Sequence, residues 1–133
     1  MPAATLAREG FNELLAALLG GGVFTVRLYT NDPTISVDSV AANFVEPVFD
    51  GYIYASVRKW TPPTLRAGKS FSVGDPVYFE FAGGVPPLPI RGYFVTSEVG
   101  GPLLWAWRAP DPAFQFSLSD PLLEVLVTLT FPG

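Results

Sequence analysis

The apolar positions of this chain change period once. From Ala3 to Leu19, the residues Ala7, Phe11, Leu14, Leu15 and Leu18 recur at i, i+4, i+7, i+8 and i+11, the spacing of one stripe along a helix. Gly20-Gly21-Gly22 ends that pattern. The interior Gly10 costs about 1 kcal/mol relative to alanine and favours a helix start close to it. Beyond the glycines the period drops to two: Phe24, Val26 and Leu28 alternate with polar or aromatic neighbours over Val23 to Tyr29, which predicts a strand. Further strands are predicted over Gly51 to Trp60, Pro76 to Phe81, Ile90 to Thr96, Leu103 to Arg108 and Leu122 to Phe131, with a shorter one around Phe71.

The fourteen prolines and thirteen glycines fall almost entirely between these runs, in stretches such as "TPPT", "GGVPPLP" and "APDPAF". Proline has no N–H to give to a ladder, so these stretches mark loops and strand edges. "EVGG" reads as the turn of a hairpin joining Ile90–Thr96 to Leu103–Arg108. Six to eight antiparallel strands after one amphipathic helix predict an all-β fold, an antiparallel β-sandwich or jelly roll with one short N-terminal helix. The expected division is residues 1–22 as helix and glycine hinge and residues 23–133 as the sandwich domain.

Length and composition narrow the function classes. The 133 residues suit one domain that buries roughly two-thirds of its unfolded surface. The chain is 49% hydrophobic, yet no window approaches the roughly 20 uninterrupted apolar residues of a membrane-spanning helix, so no membrane partner is expected. "LLAALLGGG" is apolar, but Arg8, Glu9, Asn12 and Glu13 interrupt the region and nothing basic precedes it, which argues against a signal peptide and for synthesis in the cytoplasm. Eight basic residues, scattered singly apart from Arg58-Lys59, form no phosphate-tracking stripe, and no nucleic-acid partner is expected. The chain has no cysteine and no histidine, which removes thiolate chemistry, imidazole bases and the usual transition-metal ligands. No cofactor, metal site or catalytic residue is expected.

Two constellations remain. The stretch "LYTNDPTISVDSVAANFVEPVFDGY" carries Asp32, Asp38, Glu46 and Asp50 with no lysine or arginine. Their spacing and the lack of a central glycine fail the pattern of a helical calcium loop. Asn31-Asp32-Pro33 and Asp50-Gly51 are turn formers whose short side chains bond nearby backbone, so the stretch reads as a long crossover between strands. In that reading Asp38 and Glu46 are solvated or interface acids whose basic partners come from elsewhere. In "LLWAWRAP", Trp105 and Trp107 are two apart and share a strand face, either as a sugar-stacking platform or as a core or subunit wall. The wall is favoured, because the neighbours Leu104 and Ala106 supply no convergent polar groups. With six arginines to two lysines and many aromatics, the composition matches surfaces that contact protein, and a homo-oligomer is expected.

The order of motifs, with "VRLYTND" closing a strand, "FDGY" opening the next, then "RGYFVTS" and "LLWAWRAPDP", resembles small β-domains among tailed-bacteriophage structural proteins, including capsid decoration or cement proteins. The resemblance implies a non-enzymatic virion protein on the capsid surface, a jelly roll that assembles as a homotrimer and binds the major capsid protein. It implies a capsid contact in the N-terminal segment, with Leu6, Arg8 and Glu9 as candidates. Trp105, Trp107, Phe114 and Phe116 are the candidate subunit interface. The alternatives are a tail-fibre module that binds a receptor or carbohydrate through Trp105 and Trp107, and a hydrolase using the crossover acids.

Overall fold

The computed structural model describes residues 23–62, 64–66, 69–97 and 101–131. The expected helix of residues 3–19, the glycine hinge and the candidates Leu6, Arg8 and Glu9 lie outside the described residues. Within them the chain is all-β: nine antiparallel strands and one short 3-10 turn, Ala41–Asn43. The strands are β1 (Phe24–Tyr29), β2 (Ala55–Val57), β3 (Thr64–Arg66), β4 (Lys69–Val73), β5 (Val77–Glu80), β6 (Gly92–Thr96), β7 (Leu103–Arg108), β8 (Leu122–Val125) and β9 (Thr128–Phe131). Among the described residues no helix is long and apolar enough to cross a membrane.

The chain divides into two compact units. One holds residues 23–57 and 77–125, with a four-stranded sheet in the order β2-β1-β6-β7 and the two-stranded ladder β5-β8. The other holds residues 58–76 and 126–131, with the sheet β3-β4-β9.

In the larger unit β1 and β6 are central and buried on both faces, as Val26, Leu28, Tyr29, Phe94 and Val95 all are. The register Arg27↔Phe94↔Ala106 and Tyr29↔Gly92↔Arg108 fixes which side chains share a face. On that face Phe44 stacks on Phe94 with 4.8 Å between ring centroids and meets Tyr29 edge-on at 4.9 Å. A second aromatic cluster joins Phe49, Phe81, Phe114 and Phe116; Phe116 lies 4.8 Å from Phe49 and 4.9 Å from Phe114.

Where the strands depart from the sequence pattern, backbone competition is the cause. Residues 51–60 hold only the three-residue β2, since past the Val26↔Ala55 pair the Leu28 N–H is taken by the Tyr52 hydroxyl at 3.2 Å instead of a strand carbonyl. Residues 122–131 form two strands, because the partner run is itself broken at Asp75-Pro76: Leu122–Val125 pairs with β5 and Thr128–Phe131 with β4. The strand β3, "TLR" between Pro63 and Ala67-Gly68, carries no readable alternation. The strand pairing of the predicted hairpin is present between β6 and β7, with an irregularity between Val95 and Thr96, while residues 98–100 of its expected "EVGG" turn lie outside the described residues.

Candidate functional site

The crossover folds back over the β1–β6–β7 face, and polar side chains hold it there. Asn31 accepts the Val45 N–H through Oδ1 at 2.9 Å and donates Nδ2 to the Asn43 carbonyl at 2.7 Å. Its amide therefore satisfies backbone more than ten residues away and not its own turn, which corrects the local reading of Asn31-Asp32-Pro33. Ser36 and Ser39 close a tight turn, with the Ser36 N–H on Ser39 Oγ at 2.9 Å and the Ser39 N–H on the Ser36 carbonyl at 3.1 Å. Asn43 Oδ1 accepts the Val40 N–H at 2.8 Å. At the far end Phe49–Tyr52 is a turn with the Tyr52 N–H on the Phe49 carbonyl, and Gly51 at φ 93° takes the left-handed position that the sequence reserved for it.

Four groups meet beneath this loop. Arg27, reaching out of β1, places Nη1 3.1 Å from both carboxylate oxygens of Glu46. The Tyr52 hydroxyl donates to Glu46 Oε1 at 2.6 Å while accepting from Leu28. The Arg27 guanidinium carbon lies 4.9 Å over the Tyr54 ring. The side chains of Arg27 and Glu46 are only 18% and 32% exposed, so the pair is partly shielded from solvent screening. An open cleft of about 310 Å³ adjoins the pair, lined by Arg27, Ala41, Phe44, Glu46, Phe94 and Thr96.

The acids of the crossover thus have separate tasks. Glu46 is bound by Arg27 and Tyr52, and Asp32 pairs with Arg108 of β7. The Asp50 carbonyl accepts the Ala82 N–H at 2.8 Å. Among the described residues no group of three or more His, Cys, Asp and Glu could hold a metal ion. With its one close carboxylate already bonded to a guanidinium and a phenol, the arrangement is suited to fastening a loop.

Burial and the bond to Glu46 push the Tyr52 phenol well above its ordinary value of about 10. Burial likewise raises Tyr29, against a smaller lowering by Arg108. A raised tyrosine pKa favours the neutral form in the folded state. The stability it contributes is complete below about pH 10 and is lost as pH rises above that, where only the unfolded chain gives up its proton. Urea unfolding between about pH 10 and 12 is expected to show stability falling by about 1.4 kcal/mol per pH unit through Tyr52. Tyr52→Phe should remove one proton's worth of that slope; an unchanged slope would show that Tyr52 ionises normally in the fold.

The tryptophans do not form a pair of exposed plates. Trp105 is half-buried with its ring 6.0 Å from Phe24; Trp107 is 47% exposed and tilts against Tyr93 at 5.4 Å. Phe114 is half-buried, and its main chain bridges Ile90 in both directions. Phe116 is 0% exposed and packs wholly within its own chain, so it is a core residue and offers no side-chain surface to a second subunit. The sequence pattern did not single out Arg27, Phe44, Tyr52 or Tyr54, which lie apart along the chain and converge only through the crossover.

The chain matches no protein-family model, no curated protein and no solved structure.

Proposed function

We propose that this protein is a non-enzymatic virion structural protein of the capsid decoration type, a jelly roll or β-sandwich that self-assembles, as a homotrimer, on a phage head. One observation carries the reading: among the described residues fourteen large hydrophobic side chains are at least about a third exposed, with Val37, Val48, Val85, Leu88 and Leu118 at 70% or more. Single exposed apolar residues are ordinary, but so many on a chain with two lysines suit a surface that protein covers in the assembled state. In this reading the partners are further copies of the chain and a major capsid protein. Leu6, Arg8 and Glu9 are the candidates for the capsid contact, and Trp105, Trp107 and Phe114 for the subunit contact.

Co-sedimentation with purified heads that lack the protein tests the reading. The protein is expected to pellet with the heads at a fixed stoichiometry and to remain in the supernatant without them. Protein left in the supernatant in both cases would overturn the assignment.

A further inference from the structure

The crossover faces two ways. Ala41 and Phe44 turn inward against Tyr29 and Phe94. Ile35, Val37, Val40, Val45 and Val48 turn outward, with Val37 fully exposed and Val48 at 90%. These aliphatic groups are not on a slack loop: Asn31, the Ser36–Ser39 turn, Asn43 and the Arg27–Glu46–Tyr52 bonds hold both ends and the middle. A loop fastened at so many points has already lost the freedom that docking would otherwise cost it.

The charges identify the occupant. Among its described residues the unit carrying the crossover has eight acidic against three basic residues, a net of −5 over 23–57 and 77–125. Among the described residues of the smaller unit, Arg58, Lys59, Arg66 and Lys69 stand against Asp75, a net of +3 over 58–76 and 126–131. Each copy therefore carries both halves of a complementary pair, and Arg58 and Lys59 are exposed.

We propose that the outward face of the crossover, residues 35–48, is a docking surface for the basic unit of a second copy of this chain. Aliphatic contact supplies the adhesion; the opposite net charges steer and orient the encounter. Because the two surfaces differ, the contact is heterologous. Such contacts close into rings when the rotation permits, which accommodates a trimer. The inference rests on the self-assembly proposed above and places its subunit contact on the crossover and the basic unit in place of Trp105, Trp107 and Phe114.

The test uses the full chain in sedimentation equilibrium at about 0.1 M and about 1 M salt, where the screening length falls from about 10 Å to about 3 Å. Val37→Asn with Val48→Asn removes the aliphatic contact of the crossover without adding charge, and Arg58→Glu with Lys59→Glu spoils the basic unit. All four side chains are exposed, so circular dichroism should show both variants folded. Wild type is expected to assemble, at least about ten-fold more weakly at the higher salt. Each variant alone is expected to stay monomeric. Mixed in equal amounts, the two should form a one-to-one dimer and nothing larger, since one intact surface of each kind remains. A mixture that stays monomeric, or either variant assembling like wild type, would overturn this docking surface while leaving self-assembly in place. A wild type that is monomeric at both salts would overturn the self-assembly itself.

Discussion

Gly92→Ala is expected to destabilise the protein by about 4 kcal/mol or more, at the upper end of single-residue effects. Gly92 opens β6, paired with Tyr29 of β1 on one side and Arg108 of β7 on the other. Its missing side chain is where the Tyr29 ring crosses the strand to donate its hydroxyl to the Trp107 carbonyl at 3.0 Å. A Cβ at that position would sit 2.0 Å from the Trp107 carbonyl oxygen and 2.6 Å from the Tyr29 hydroxyl oxygen. The first of these contacts is with backbone, so no rotamer change relieves it. The ladder between β6 and β7 would have to separate or the strand bulge. The companion variant Tyr29→Phe removes the hydroxyl only and should cost about 1 kcal/mol. Combining it with Gly92→Ala should recover little. Urea midpoints for the three variants check this, and a double variant near wild-type stability would show that Tyr29, and not the strand pairing, sets the constraint.

Phe116→Ala is expected to cost about 4 kcal/mol, through lost burial plus the cavity left between Phe49, Phe81 and Phe114. The neighbouring main chain is tied down, since Gln115 Nε2 donates to the Pro87 and Phe116 carbonyls at 2.9 and 3.0 Å. The site therefore has limited freedom to collapse around the void, which places the cost high in the usual range. Trp107→Ala, by contrast, removes a ring that is nearly half in solvent and should cost about 1 kcal/mol or less. A thermal or urea series separates the two residues, which the sequence treats alike as interface aromatics. Equal small losses at both positions would contradict the enclosed cluster around Phe116.

These two positions show how far the sequence is legible. The strand Leu103–Arg108 has the boundaries that its alternation and flanking Gly-Pro and Ala-Pro pairs predict. Its antiparallel pairing with Gly92–Thr96 follows from their closeness in the chain. The Asp50-Gly51 turn was readable for a similar reason, since a left-handed residue is needed there and glycine meets that need without strain. Phe116 was misplaced because an aromatic residue in a proline-rich stretch looks the same whether it faces a partner or its own core. Only the enclosing rings, from residues as far off as Phe49, decide it.

The crossover shows the same division most sharply. Its composition alone established that it is acidic, lacks the spacing of a calcium loop and is bounded by turns, because turn chemistry acts over two or three residues. What the acids do was not in that stretch at all. Glu46 is answered by Arg27, nineteen residues earlier on β1, and Asp32 by Arg108 at the far edge of the sheet. The bonds of Asn31 likewise run to backbone brought near only when the loop has folded over Phe94. Local propensities determined which segments extend and where they turn. The tertiary structure alone decided which of the loop's faces is held and which is presented, because opposite charges and apolar rings far apart in the chain attract one another only after the sheet has brought them within reach.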